Sequence, residues 1–483
     1  MSCTTILAGK NATYNGATFI SRTEDCPSGQ FCEKKFVVVN PKDQPKKYKT
    51  ILSKQEIDLP DNPMRYTSTP NADKKEGIWA AHGINEANVA MTATETITSN
   101  ERVLGADPLT KKCGIGEEDL NVITLPYIHS AREGVERLGM LLEKYGTYEM
   151  NGIAFSDQDE IWWLETIGGH HWMAKRVPDD AYVVMPNQLG IDSFDFDDAY
   201  GAKKNYMCCQ DLRDFVDRNH LDLTQEGKSF NPREAFGSHD DADHVYNTPR
   251  AWFILRYLNP TSAKWDGPDA DYKPTSDNLP WSMVPERKIT IEDMKYLLSS
   301  HYNGTEFDPY ASYGKTENRG AYRSIGINRN CCSCILEIRG YMPDSCKGLQ
   351  WLSFASNAFN VMPPLYTNIT KCPKYISYVP KNVSTDSFYW ASRLISALSD
   401  AGYSKNLNHI EHYQMEVGSK SHEILNKYDK EIAGLEGQSA IEMCQKANEE
   451  IFKMVKEETN KTLGQVLFEA SNLMKNSYAR SDH

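Results

Sequence analysis

The spacing of the β-rich runs constrains this chain more than any other feature. Residues 3–8 and 17–22 are β-rich and separated only by a turn signal, Tyr14-Asn15-Gly16. The chain therefore opens with a hairpin and not with a strand feeding a helix. A second hairpin is expected from 78–82 and 89–94, turning at 83–86. A helix follows: Ser130 with Glu133 forms a capping box, Val135, Leu138, Leu141, Leu142 and Tyr145 line one face, and Gly146 ends it. Four short runs at 152–155, 160–165, 171–175 and 182–185 have the spacing of a meander. Helices are expected at 210–218 and 291–299, and strands again at 334–338 and 349–354. Strands do not alternate with helices, which excludes a βαβ plan and predicts an α+β protein with antiparallel sheets. The polar segment 27–76 reads as an elaborated surface loop around one strand at 36–39.

The last hundred residues follow a different rule. From 384 onward the chain is charged and almost free of proline, with apolar residues at three- and four-residue spacing, as in Ile441, Cys444, Ala447, Ile451 and Val455. This predicts helices over 390–398, 410–432 and 441–474. The expected organisation is a catalytic domain over 3–383 and a helical region over 384–483, packed on the core or on another subunit. A homo-oligomer is the expectation.

Lys plus Arg is 53 and Asp plus Glu is 66, a net charge of −13. A chain this acidic lacks the basic footprint that nucleic-acid binding needs. No apolar run reaches the roughly 18–20 residues of a membrane helix, and the N-terminus has neither a basic region nor a long apolar one. A cytoplasmic protein with no membrane partner is expected, and its twelve cysteines are read as reduced thiols. Cys331-Cys332-Ser333-Cys334 lacks zinc-knuckle spacing and reads as buried thiols on a strand. No phosphate loop is present, and neither metal nor cofactor is expected. Asp195, Asp197 and Asp198 read as an acidic loop, and His170-His171 as core or pocket lining on a β run.

Cys3 is the candidate nucleophile. The opening hairpin returns the chain beside it and delivers Arg22 and Asp25 to the same edge. Removal of Met1 and Ser2 would give Cys3 a free α-amine, with an intrinsic pKa of about 7.7–8.0, able to act as base for its own thiol. Arg22 would favour the thiolate, and Asp25 could accept a hydrogen bond from the amine.

These residues carry a resemblance. Cys3-Thr4-Thr5-Ile6-Leu7-Ala8-Gly9-Lys10, Asn15-Gly16-Ala17-Thr18 and Ser21-Arg22-Thr23-Glu24-Asp25 resemble the N-terminus of the N-terminal-nucleophile cysteine dipeptidases, the dipeptidase A family to which secernins are related. Further segments agree in order. They are Gly83-Ile84-Asn85-Glu86, Met91-Thr92-Ala93-Thr94-Glu95, Gly114-Ile115-Gly116-Glu117-Glu118-Asp119, Gly169-His170-His171-Trp172, Arg176-Val177-Pro178-Asp179-Asp180 and Asn247-Thr248-Pro249-Arg250.

The resemblance implies an αββα sandwich of two antiparallel sheets and hydrolysis of dipeptides through a Cys3 thioester. It implies Arg22 and Asp25 as electrostatic partners of Cys3, Asn187 as an oxyanion donor and Arg250 as a second arginine near the nucleophile. A backbone N–H from Met91–Glu95 would be the second oxyanion donor, and the loop 27–76 a lid over the substrate. The same scaffold also suits an amidase or acylase of another substrate class, or a secernin-like protein without hydrolysis.

Overall fold

The computed structural model describes residues 3–75, 77–110, 112–238 and 240–475. Its strands form two large antiparallel sheets. The labelled strands are β1 (Cys3–Ala8), β2 (Thr18–Asp25), β3 (His82–Ile84), β4 (Ala90–Thr96), β5 (Asn151–Ser156), β6 (Ile161–Ile167), β7 (His171–Val177), β8 (Tyr182–Met185), β9 (Tyr206–Cys208), β10 (Ser282–Met283), β11 (Asn330–Ile338), β12 (Gly348–Phe354) and β13 (Pro364–Tyr366). One sheet runs β10-β8-β1-β2-β11-β12-β13 and the other β9-β7-β6-β5-β4-β3. Strands β1, β2 and β11 lie against β3, β4 and β5 of the other sheet. The class is α+β with antiparallel sheets, as the run spacing predicts.

The helices cover the remaining faces. They are α1 (Ala131–Tyr145), α2 (Leu212–Arg218), α3 (Thr248–Leu258), α4 (Ile291–Leu298), α5 (Phe388–Ala401), α6 (Tyr403–Ile432) and α7 (Gly437–Asn472). Helix α1 lies against β5, β6 and β7, and α4 against β2 and β11. With both faces covered, every residue of β1, β2, β11 and β12 is buried. Helices α5 to α7 pack on one another and on β12 and β13, where Arg339 pairs with Asp429 at 2.6 Å and Asn448 holds both backbone groups of Tyr366. Among the described residues no helix is long and apolar enough to cross a membrane.

Several expectations need correction. The turn placed at 83–86 is partly strand: β3 ends at Ile84, and the reversal falls on Asn85–Val89. Asn85 builds that turn, its Oδ1 accepting from the backbone of Ala87 and Val89 at 3.0 Å each. Gly83 serves close packing, since a Cβ there would lie 1.9 Å from the Thr67 carbonyl oxygen. The expected meander breaks after its third strand, because β8 leaves it to pair with β1 in the other sheet. The segment 27–76 holds four short strands and not one: Val37–Val39 with Tyr66–Ser68, and Lys47–Lys49 with Glu56–Asp58. Ser130 caps α1 as expected, but Glu133 returns its carboxylate to the His129 N–H and not to Ser130. Helix α3 carries Arg250 in its first turn. Asp195 proves to be a helix cap, accepting from the N–H groups of Asp197 and Asp198.

Candidate active site

Strand register brings the candidate residues together. In β1–β2, Cys3 stands opposite Glu24 and Thr5 opposite Arg22. Residues directly opposite share a face, so Cys3, Arg22 and Glu24 point the same way, toward β3 and β4. In β1–β8, Thr5 stands opposite Met185. Continuing that register two residues places Asn187 beside Cys3.

Arg22 Nη2 donates to Cys3 Sγ at 2.7 Å, and the Arg22 side chain is 1% exposed. The same nitrogen is 3.4 Å from Glu117 Oε1. A buried guanidinium at this distance favours thiolate over thiol. Asn187 Oδ1 accepts from the Cys3 N–H at 3.3 Å, and its Nδ2 donates to the Thr96 carbonyl at 3.0 Å. The amide has a second N–H to give.

Arg250, near the start of α3, holds this arrangement from behind. Nη1 donates to the Cys3 carbonyl and, at 2.7 Å, to Thr4 Oγ1. Nη2 donates to Asn187 Oδ1 at 2.8 Å and Asn247 Oδ1 at 2.7 Å. Asn247 in turn brackets the Asn187 backbone, accepting its N–H at 3.1 Å and donating to its carbonyl at 3.2 Å. One guanidinium thus fixes the nucleophile's backbone and the amide beside it.

Asp25 lies on the opposite face, an odd number of residues from Arg22. Its carboxylate is gripped by Arg323 and Asn330, with Arg329 at 3.9 Å. Met1 and Ser2 lie outside the described residues, and of residues 93–95 only the backbone is described.

Residues that sequence reasoning missed complete the surroundings. Lys34, from the 27–76 loop, pairs with Glu24 at 2.5 Å with both side chains closed to solvent, and donates to the Trp79 carbonyl at 2.9 Å. Burial disfavours the Lys34 ammonium, but Glu24 overrides it and holds Lys34 above its ordinary value. Tyr48 of the same loop donates to Asp119 at 2.7 Å. The loop is therefore pinned at two buried polar points, one of them at Glu24 opposite the nucleophile. His82 touches Cys332 Sγ at 3.3 Å, and burial, with Arg22 and Lys34 nearby, keeps its ring neutral. Burial also pushes the carboxyls of Glu118, Asp119 and Glu149 well above their usual range. No periodicity or turn signal marks these positions. Lys34 sits in a lysine-rich stretch indistinguishable from solvated loop, and only the Gly114–Asp119 motif gave notice of Glu117.

Among the described residues the cysteines form no disulfide, and Cys331, Cys332 and Cys334 lie buried on β11. A cavity of about 330 Å³ between α4 and α6, lined by Lys295, Trp351 and Tyr403, shares no lining residue with the Cys3 constellation. Among the described residues, His171, Cys209 and Asp211 are the group whose ligand atoms converge closely enough to hold a metal ion.

Comparison with known proteins finds similarity to peptidases along the chain. The model of "Peptidase family C69" matches residues 2–416. A protein named Dipeptidase from Bifidobacterium longum (strain NCC 2705) is 50% identical over 532 aligned residues, covering 100% of each chain. Probable dipeptidase A from Streptococcus pyogenes serotype M3 (strain SSI-1) is 50% identical over 482 residues, again covering 100% of each. Dipeptidase A from Lactobacillus helveticus is 45% identical over 486 residues, covering 99% of this chain and 98% of that one.

Proposed function

The chain belongs to peptidase family C69, and from that premise we propose that it is a cysteine-type dipeptidase whose nucleophile is Cys3, exposed as the N-terminal residue by removal of Met1 and Ser2. The observation that carries this reading is the buried Arg22 guanidinium 2.7 Å from the Cys3 sulfur. The fold we assign is the αββα sandwich of the N-terminal-nucleophile hydrolases, with 3–383 as catalytic domain and 384–483 as an appended helical region.

In the proposed reaction the Cys3 α-amine takes the thiol proton and the thiolate attacks the peptide carbonyl. The C–N bond breaks as the α-ammonium protonates the leaving amine, leaving a thioester. Water then gives its proton to the α-amine, attacks the thioester and releases the second amino acid with the thiol restored. Arg22 stabilises the thiolate. Asp25, held on the far face by Arg323 and Asn330, braces the strand end opposite Cys3. Asn187 donates to the oxyanion through its second N–H, and Arg250 holds Asn187 and the Cys3 backbone in place. For the second oxyanion donor we choose the backbone at Thr94, where a register shift between Ala93 and Glu95 takes one residue out of the β4–β5 ladder. Strand β4 lies against β1 and β2, which supports that choice.

A dipeptidase must read a free α-ammonium. Glu117, Glu118, Asp119 and Glu149 crowd four carboxyls beside Arg22 and the pinned 27–76 loop, and a substrate ammonium would relieve the cost of their burial. We assign the protein to the cytoplasm with no nucleic-acid or membrane partner. Exposed Met415, Leu467 and Phe468 offer the tail as a contact for a second copy of the chain.

Cys3→Ala tests the assignment. Dipeptide turnover should fall on the order of 10⁶-fold, the scale seen when a nucleophile is removed, with the fold retained. Undiminished hydrolysis by a folded variant would end the proposal. A wild type inert on dipeptides but active on acyl amides would assign it to the amidase class instead.

A further inference from the structure

At the free edge of the six-stranded sheet, β7 pairs with β9 with Met173 opposite Cys208. Continuing that register puts His171 opposite Gln210, flanked by Cys209 and Asp211. The Cys209 N–H donates to the Trp172 carbonyl at 3.1 Å, which locks the connection in place. Stacking on Phe215, 3.9 Å between ring centroids, fixes the His171 ring.

The other ring nitrogen is committed. His171 Nδ1 lies 2.7 Å from Asp107 Oδ2, and Asp107 also accepts the backbone N–H of His170 at 2.7 Å and meets His170 Nδ1 at 2.9 Å. A carboxylate surrounded by donors only accepts, so Nδ1 carries the proton. Nε2 is then the nitrogen left to ligate. It faces Asp211 Oδ2 at 3.6 Å, longer than a hydrogen bond. The Cys209 sulfur completes a group whose ligand atoms all lie within 4.8 Å of one another. An imidazole nitrogen, a thiol sulfur and a carboxylate oxygen converging on one spot form a donor set that a zinc-type cation takes. A carboxylate behind the imidazole is the arrangement that orients a metal-bound histidine.

We propose that His171 Nε2, Cys209 Sγ and an Asp211 oxygen bind one divalent transition-metal ion of the zinc type, away from the catalytic residues. A tetrahedral zinc site with these ligands spaces them about 3.3–3.8 Å apart, from bond lengths of about 2.0–2.3 Å. The His171 Nε2–Asp211 Oδ2 separation of 3.6 Å already falls in that range, and the Asp211 side chain, 58% exposed, has room to turn toward the sulfur. Binding forms the Zn–S bond and releases the Cys209 thiol proton to solvent; no electron is transferred. The ion would tie the start of β7, held to Asp107, to the β9–α2 connection. This site is read from a mixed N, S, O ligand set, which excludes magnesium and calcium as occupants.

The test uses the full-length protein, stripped with chelator and titrated with Zn²⁺ or Co²⁺. One ion per chain should bind, and Co²⁺ should give a thiolate-to-cobalt charge-transfer band that is absent in Cys209→Ser. Asp211→Asn, at an exposed position that leaves folding alone, and Asp107→Asn should each weaken zinc about 10-fold or more. Dipeptide turnover should survive metal removal. Zinc binding unchanged in Cys209→Ser would place the ion on other thiols and overturn the site. The absence of stoichiometric binding would overturn it equally.

Discussion

Strands β1 and β2 and helices α6 and α7 are both well packed, yet around opposite chemistry. The strand pair buries Arg22, Glu24 and Asp25 among its fourteen residues, with Lys34 and Arg250 closed in beside them. The two helices bury Ile410, Val417, Ile451 and Val455, and no Lys, Arg, Asp or Glu. Taking an ion out of water costs several kcal/mol unless a partner repays it, whereas apolar burial stabilises outright. The strand pair therefore stays folded only because its charges are matched across elements: Arg22 to Cys3 and Glu117, Glu24 to Lys34, Asp25 to Arg323. A region assembled this way is a place for reactivity. The helices are a place for stability.

The comparison is sharpest at its ion pairs. Lys34→Met leaves Glu24 charged and alone in the interior, so unfolding should become easier by about 3–5 kcal/mol in denaturant titrations. The double variant Lys34→Met with Glu24→Gln should recover much of that. A single variant as stable as wild type would mean that the loop, and not the charge match, carries the contact.

Asn187→Ala comes next. It should lower kcat by about 10²–10³, the usual loss for one oxyanion donor, while leaving the alkylation rate of Cys3 near normal. Early melting with normal turnover would return Asn187 to a purely structural part, and slow alkylation would move it to positioning the nucleophile through its bond to the Cys3 N–H.

The smallest effect is expected in the tail. Lys427 pairs with Glu450 at 2.9 Å with both side chains nearly half exposed. Lys427→Ala should leave the melting temperature where it was, because an exposed pair is screened and held by mobile side chains. A large shift there would contradict the division drawn above.

The same division governs what the sequence disclosed. The tail was legible because its stabilisation is apolar and periodic: Ile441, Cys444, Ala447, Ile451 and Val455 announce a helix, and α7 is there. The opening hairpin was legible from its turn, and Cys3, Arg22 and Asp25 from the hairpin and the resemblance together. Lys34, His82 and Arg323 were not, because contacts between separate segments, such as Lys34 with Glu24, His82 with Cys332 and Arg323 with Asp25, leave no local pattern. The departure of β8 from the meander was hidden for the same reason. A run such as Tyr182-Val183-Val184-Met185 says that it is a strand, not which sheet it joins. That switch is what brings Asn187 to Cys3.

The most direct test of the account joins two readings of one sample: the intact mass and N-terminal residue of the purified protein, and its turnover of a dipeptide. The account predicts that active protein begins at Cys3, takes one equivalent of iodoacetamide there ahead of its other eleven thiols, and loses turnover in proportion. Full turnover by protein that quantitatively retains Met1 and Ser2 would contradict it.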